Sequence, residues 1–475
     1  MTTALVETHT AVVLAVGDRV FKAKKSVRFP FVDLSSVESR RVACEREVAL
    51  NRRLSPDVYL GVATLSGAGV DEPVVVMRRM PAERRLSSIV AAGLHDARDE
   101  VVKVARLIAA FHSTAPTSRR IANEAAPAVV LAKALQNIDE LGEVADGVVT
   151  ASELIEVRAH TTNYVQGRER LFLTRCESGC ARDGHGDLLA DDIFCLADGP
   201  RVLDCLEFDD RLRYGDVLGD VAFLAMDLER LSGPQIARAF LDAYAEHSGM
   251  TWPSSLEHFY IAQRSLVRAK VACLRLAQGD DSARLEARTL VALALRHLRD
   301  GRCRLVLIGG APGTGKSTVA AGVADLMQLT LAQSDVVRHG IYGPSRNTDG
   351  YRSGRYDAPH KAAVYDEMLR RAAIALGHGE SVVLDATWLD PQARELAAAV
   401  ARSTSSHLVE MRCITPPDVA RERVAARSAQ TVMSDVTPEL AERIAAEAPS
   451  WTTAQELDTS GSSDDAVFIA AQRLA

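Results

Sequence analysis

Residues 304–318, RLVLIGGAPGTGKST, decide the reading of this chain. Leu305, Val306, Leu307 and Ile308 form an uninterrupted apolar run, the pattern of a strand buried on both faces in a parallel sheet. The stretch from Gly310 to Ser317 then has the spacing GxxxxGK[ST]. Gly310, Gly313 and Gly315 let the backbone around Thr314 turn its N–H groups inward, Lys316 can reach β- and γ-phosphates, and Ser317 can offer its hydroxyl to Mg²⁺. From Thr318 the pattern VAAGVADLM continues as a helix whose N-terminal dipole faces the anion. Strand, glycine-rich loop and helix in this order predict a nucleoside-triphosphate site, with Lys316 central to its chemistry.

The rest of the chain sets bounds on what surrounds that site. With 475 residues and 47% hydrophobic content, two or three folded units with real cores are expected. A net charge of −7 gives no overall footprint for nucleic acid or membrane surface and favours a small-molecule partner. The eight cysteines are scattered, and only Cys176 and Cys180 are close; no second pair or histidine at ligand spacing supports zinc, so reduced thiols are expected. No signal-peptide pattern and no long apolar span occur, which predicts a cytoplasmic protein.

Near the start, AVVLAVGDRVFKAKK reads as a hairpin about Gly17-Asp18. Period-2 alternation puts Lys22 and Lys24 on one face of its second strand, where either could reach phosphates. A helix from Ser35 to Leu54 offers Glu45 and Glu47 as ion-pair partners, and Val74–Met77 reads as a buried strand before a Met80-Pro81 connector. Beyond it, most of the chain to Gln166 has helical spacing.

The second dense stretch is HGDLLADDIFCLADGPRVLDCLEFDD, residues 185–210. A hairpin turning at Asp198-Gly199 would bring Asp192 and Ile193 opposite Asp204 and Cys205. With His185-Gly186-Asp187 just upstream, one use of the cluster is Mg²⁺ binding by Asp192 and Asp204 while Asp187 accepts a hydroxyl proton. Solvated loop acids are the rival reading.

In this order, the lysine strand, Glu-bearing helix, connector, HGDxxxxD segment, hairpin and Asp204 resemble the aminoglycoside-phosphotransferase-like branch of the protein-kinase-like fold. The resemblance implies Asp187 as catalytic base, Asp204 as metal ligand, Lys22 as the phosphate-contacting lysine and Glu47 as its partner. The family usually carries Asn where this chain has Asp192, which keeps an oxygen ligand and adds a negative charge. GDVLGDVA, residues 215–222, resembles a buried family segment in which Asp220 is structural, and His185 orients the loop. Helical spacing from Leu218 to about Leu298 completes a helical lobe and stops near Arg299-Asp300-Gly301. The expected domains are 1–297, with a small lobe to about residue 80 and a helical lobe from 81, and 300–475.

In the second domain, LTLAQ leads into Ser334-Asp335 with Arg338 three residues later, and SVVLDATW carries Asp385 at the end of a strand. Carboxylates at strand ends beside the phosphate loop lie where an open α/β sheet binds its ligand. Asp335 is the candidate substrate base, with a helix cap as rival, Arg338 the substrate-binding partner, and Asp385 the metal-side acid. Arg423 and Arg427 stand one turn apart on a helix, spaced to clamp phosphates from a lid or to face solvent. The polar insert 341–360 reads as a substrate loop. This half resembles small P-loop kinases grouped with AAA-type ATPases, including zeta-toxin-like, gluconate-kinase-like and polynucleotide-kinase-like enzymes; Asp335-x-x-Arg338 and Asp385 to Arg394 carry the likeness. The fused arrangement resembles a bacterial family of two-domain proteins that join a phosphotransferase to an ATP-binding protein.

The fold class expected is therefore α+β plus α/β: a two-lobed kinase-like domain followed by a P-loop domain with a parallel sheet flanked by helices. ATP and Mg²⁺ are the implied cofactors. The expected activity is transfer of the γ-phosphoryl group to a hydroxyl of a small metabolite, such as a sugar, aminosugar or aminoglycoside. The alternative is a first domain that binds nucleotide without turnover beside an active P-loop small-molecule or polynucleotide kinase; the acidic balance argues against nucleic acid.

Overall fold

The computed structural model describes residues 3–7, 11–29, 32–67, 70–93, 96–145, 147–343, 357–428 and 437–474. Most of the insert 341–360 lies outside them. The chain forms two compact bodies. The first comprises Met1–Arg158, Phe172–Trp252 and Phe259–His297; the second comprises Ala159–Leu171, Pro253–His258 and Leu298–Ala475.

The first body begins with an antiparallel five-stranded sheet, in the order Thr3–Glu7, Ala11–Val16, Arg19–Lys24, Val70–Arg78, Tyr59–Gly67. The hairpin turns at Gly17-Asp18, since Val16 pairs with Arg19. The flanking strands Thr3–Glu7 and Tyr59–Gly67 carry no clear alternation of their own and were not expected from the sequence. Helix Val37–Asn51 is started by Ser36, whose hydroxyl accepts the Ser39 N–H at 3.0 Å, and it lays Cys44 and Val48 against Val58, Tyr59 and Val75 of the sheet side. Helices then dominate, among them Ala97–Thr114, Val217–Ser232, Pro234–Ser248 and Ala283–Asp300. Val217–Ser232 is buried over nearly all its length, as expected of a helix apolar on all sides.

A short hairpin, Ile193–Leu196 with Gly199–Val202, interrupts the helices. Its register corrects the expected one: Leu196 pairs with Gly199, so the turn is Ala197-Asp198 and Asp192 lies opposite Leu203, whose N–H reaches the Asp192 carbonyl at 2.9 Å. Gly199, at φ +120°, serves as the first residue of the return strand rather than as a turn residue.

The second body has a five-stranded sheet in the order Thr330–Gln333, Val382–Asp385, Arg304–Gly309, His407–Ile414, Gln455–Asp458, parallel throughout. Every residue of Arg304–Gly309 is buried, which explains its unbroken apolar run. Successive connections leave in opposite directions between this strand and His407–Ile414, and the crevice at their carboxyl ends is a topological switch point. Segment Ala159–Leu171 is locked into this body through Arg168, 1% exposed, which donates to the Thr404 carbonyl at 2.7 Å and Ser406 Oγ at 3.1 Å. Ser255 Oγ donates to the Gly379 carbonyl at 2.6 Å.

Candidate active sites

In the first body the sheet and helix deliver their charges to one point. Lys22 Nζ lies 2.9 Å from Glu47 Oε1 and 3.0 Å from Asp204 Oδ1. Lys24 Nζ takes the other Glu47 oxygen at 2.6 Å and Glu207 at 2.5 Å. Glu47 is fully buried and Glu45 is exposed, so the helix presents only the former to the lysines. Burial works against charge on Lys22, but Glu47, Asp204 and Glu207 outweigh it and hold the amine well above the ordinary lysine range. Lys24 is almost wholly enclosed between its two carboxylates, which leaves Lys22 as the lysine that faces Asp204.

Asp204 sits at φ +61°, a conformation uncommon outside glycine. Its N–H donates to the Tyr59 hydroxyl at 3.2 Å, and the next N–H, of Cys205, donates to Asn51 Oδ1 at 2.8 Å. Asn51 in turn donates to the Glu47 carbonyl at 2.8 Å. The end of one helix thus holds the strained residue in place, the arrangement expected where strain serves a site. Lys22 holds the Asp204 carboxyl below its usual range.

The loop His185–Asp187 is fixed from behind by Asp220, which accepts the N–H of His185 at 2.5 Å and of Gly186 at 2.8 Å. The His112 ring approaches Asp220 at 3.3 Å and Tyr244 at 2.9 Å from its other nitrogen. The His185 ring bonds the Leu203 carbonyl at 3.0 Å, and burial keeps it below the ordinary histidine range. Asp187 is left half-buried with its carboxyl pushed up to about 6 by burial, against the pull of Arg268. Asp192 is driven well above the carboxylate range by burial and then by Asp204 and Asp187. The loop and hairpin therefore gather Asp187, Asp192 and Asp204 into one electrostatic unit.

Among the described residues no group of three or more His, Cys, Asp or Glu has metal-holding geometry. Mg²⁺ asks less, commonly one or two carboxylates with water and phosphate completing its shell. Mutual repulsion of Asp192, Asp204 and Asp187 is the condition a divalent cation relieves, so this donor set fits Mg²⁺.

In the second body the phosphate loop is cast against its neighbours. Gly310 and Gly313 have φ of +140° and +85°. A Cβ on Gly310 would lie 2.6 Å from the Cys413 carbonyl oxygen, and one on Gly313 would lie 2.5 Å from that of Ala420, so neither position admits a side chain. Thr459 clamps the loop by its hydroxyl, 2.6 Å from the Thr314 carbonyl. Lys316 opens helix Lys316–Met327, followed by half-buried Ser317 and exposed Thr318. Asp385 ends the adjacent strand; its Oδ2 accepts from Gln333 at 3.1 Å, while Oδ1 is buried without a hydrogen-bond partner among the described residues. Burial raises its pKa against the opposing pull of Lys316 and Ser317. An orphaned carboxylate oxygen close to the Ser317 hydroxyl fits a cation here also.

Asp335 lies in the first turn of helix Ser334–Tyr342, whose cap position is Gln333, so it is not the cap. Its Oδ1 pairs with Arg338 at 2.5 Å, and its charge is felt at Asp385. Arg423 donates to the Thr459 carbonyl at 2.8 Å and passes within 3.5 Å of where a Gly315 Cβ would stand, beside the loop. Arg427 is on the same helix, Pro417–Ser428, and its side chain lies outside the described set.

Several participants had no legible signal. Tyr59, Asn51 and Glu207 act on Lys22, Lys24 and Asp204 across long sequence distances. Thr459 follows an unremarkable short strand. Arg264 and Arg268 lie in a helical stretch whose spacing speaks only of packing.

Residues 27–258 match the phosphotransferase enzyme family, and residues 305–449 match the AAA domain. An uncharacterized protein of Mycobacterium tuberculosis is 45% identical over 460 residues, covering 96% of this chain and 92% of its own. Among solved structures, the chain is similar to a choline/ethanolamine kinase family protein from Mesorhizobium loti at 14% identity, covering 63% of this chain and 92% of that one, with a TM-score of 0.38. A sugar kinase from Janibacter sp. HTCC2649 is similar at 16% identity, covering 36% of this chain and 93% of that one, with a TM-score of 0.29.

Proposed function

The chain belongs to the family of two-domain proteins that join a phosphotransferase-enzyme-family domain to an AAA-type P-loop domain, and from this premise we propose that each body moves the γ-phosphoryl group of ATP to a hydroxyl of a small metabolite. General phosphotransferase activity with nucleotide-binding domains follows from the family. No described helix is long and apolar enough to cross a membrane. We take 1–297 and 300–475 as the two functional domains, except that the segments Ala159–Leu171 and Pro253–His258 of the first stretch belong to the compact body of the second.

The observation that carries the first site is Lys22 held between Glu47 and Asp204, with Asp187 in the same electrostatic cluster and without an ion pair among the described residues. Lys22 would engage the phosphates, Glu47 would hold Lys22, and Asp187 would take the acceptor's hydroxyl proton. Asp192 and Asp204 would hold Mg²⁺, which would supply neutralisation of the phosphate charge. In the second site, Lys316 and the loop N–H groups would cradle the triphosphate, Ser317 and Asp385 would hold the cation, and Arg423 and Arg427 would cover the phosphates. Asp335 would serve as base, and Arg338 would orient it and bind acceptor.

A sugar, aminosugar or aminoglycoside-like acceptor is the working class for the screen. The test is a phosphoryl-transfer assay on the full chain and on Asp204→Ala and Lys316→Ala separately, against sugars, aminosugars, aminoglycosides and 5′-hydroxyl oligonucleotides. Each variant is expected to lose one set of products and keep the other. A second reading is favoured by one residue: the added charge of Asp192 could make the first body a nucleotide binder without turnover, in which case only the Lys316-dependent products would appear.

A further inference from the structure

Two arginines from one helix, Ser254–Ala277, act electrostatically on Asp187. Arg264 and Arg268 are four residues apart, one above the other on a single face. Arg264 is fixed in place: its Nε donates to the Gly219 carbonyl at 2.8 Å and its guanidinium stacks 4.8 Å from the Phe223 ring. Gly219 immediately precedes Asp220, the residue that pins the His185–Asp187 loop, so arginine and loop hang from the same turn of helix. Arg264 also lines a cleft with Gly184, Asp220, Arg182 and Arg213. Among the described residues neither Arg264 nor Arg268 has a carboxylate within ion-pair distance, and Arg268 makes no hydrogen bond.

Two like charges at this spacing disfavour a helix, and half-buried arginines ordinarily find acids. Apart from Asp187 and Asp192, the nearby acids are engaged elsewhere. Asp220 accepts loop N–H groups, Asp227 accepts the Ala190 N–H at 3.0 Å and pairs with Arg230 at 2.7 Å, Asp204 pairs with Lys22, and Asp191 is bonded by Ser87. Arg268 is the largest opposing charge acting on Asp187, ahead of Arg264. Arg264 and Arg268 are therefore cations acting on Asp187 that have no carboxylate partner of their own among the described residues.

We propose that the acceptor of the first site is an anion, a hydroxyl compound bearing a carboxylate or phosphate group, and that Arg268 with Arg264 binds that group while Asp187 receives the hydroxyl proton. This rests on the first site being a phosphotransferase. In the step, the bond from the γ-phosphorus to the bridging oxygen breaks, ADP leaves with that oxygen, and a new bond forms to the acceptor oxygen. Aminosugars and aminoglycosides, which carry positive charge, would be disfavoured.

The test uses the full chain carrying Lys316→Ala, so that the second site is silent, with one carbon skeleton at four charges: D-glucose, D-glucosamine, D-gluconate and D-glucose 6-phosphate. Transfer to gluconate or glucose 6-phosphate is expected to exceed transfer to glucose at least tenfold in kcat/KM, and the two anions separate carboxylate from phosphate recognition. Arg268→Gln should raise the KM for the preferred anion about 10- to 100-fold, the range of one lost charged hydrogen bond, and Arg268→Lys should recover part of it. If no transfer is detected, calorimetric binding of either anion that Arg268→Gln abolishes also supports the assignment. Asp187-dependent transfer that favours glucose or glucosamine overturns it while leaving the phosphotransferase reading intact. Transfer unchanged by Asp187→Asn overturns the phosphotransferase reading of this site and this inference with it. Neither transfer nor Arg268-dependent binding overturns it too.

Discussion

Lys22 donates to Asp204 at 3.0 Å across 182 residues of sequence, and the same amine touches Glu47 at 2.9 Å. One lysine thereby joins the sheet, the helix behind it and the residue after the hairpin. The contact is a competition as well as a bond, because phosphate and cation would each claim one of its members.

Glu47 neutralises two lysines from full burial. Glu47→Gln should leave both amines undercompensated and lower stability by about 3–5 kcal/mol, the usual scale for breaking a buried pair. Denaturant unfolding of the full chain checks it, and the first transition should move while that of the second body stays.

Asp187 is a base only when deprotonated, and its carboxyl is held up to about 6. Acceptor kcat/KM at the first site should therefore be at plateau above pH 7 and fall about tenfold per unit below 6. Asp187→Asn should lower it about 10²- to 10⁴-fold and flatten the pH profile while nucleotide binding persists. Rate–pH profiles in the Lys316→Ala background measure both.

Asp192→Asn removes one of three mutually repelling carboxylates. If Asp192 is a working ligand, activity should persist with altered Mg²⁺ dependence. A sharp rise in turnover would instead mark the native first body as a binder. Titrating initial rates with Mg²⁺ distinguishes the two.

Gly313→Ala should abolish nucleotide binding at the second site, because its Cβ would lie 2.5 Å from the Ala420 carbonyl oxygen and its φ of +85° strains any side chain by about 1–3 kcal/mol. Arg168→Met should destabilise this same body, since it strips the Thr404 carbonyl of a buried donor. A fragment of 300–475 lacks Arg168 altogether and is expected to be less stable than the second body within the full chain, as read by hydrogen exchange.

Much of this was legible in the sequence where local pattern and function coincide. The run Leu305–Ile308 is apolar because both faces are covered, and the glycine spacing after it is dictated by backbone approach. Alternation set Lys22 and Lys24 on one face, and both reach Glu47. The hairpin register was misread by one residue at the turn because Asp-Gly is a strong turn signal, yet here Gly199 belongs to the strand. What stayed hidden is long-range. Tyr59 under Asp204, Thr459 under Thr314, and the burial of Arg168 in the second body depend on tertiary contacts that no periodicity encodes.

The central claim is that the chain carries two independent nucleotide sites. Calorimetric titration of the full chain with Mg²⁺ and a non-hydrolysable ATP analogue tests it most directly. The expected result is two nucleotides bound per chain, falling to one in Lys316→Ala and to one in Asp204→Ala, and to none when the substitutions are combined. A single nucleotide per chain that Lys316→Ala alone abolishes and Asp204→Ala leaves untouched would contradict it.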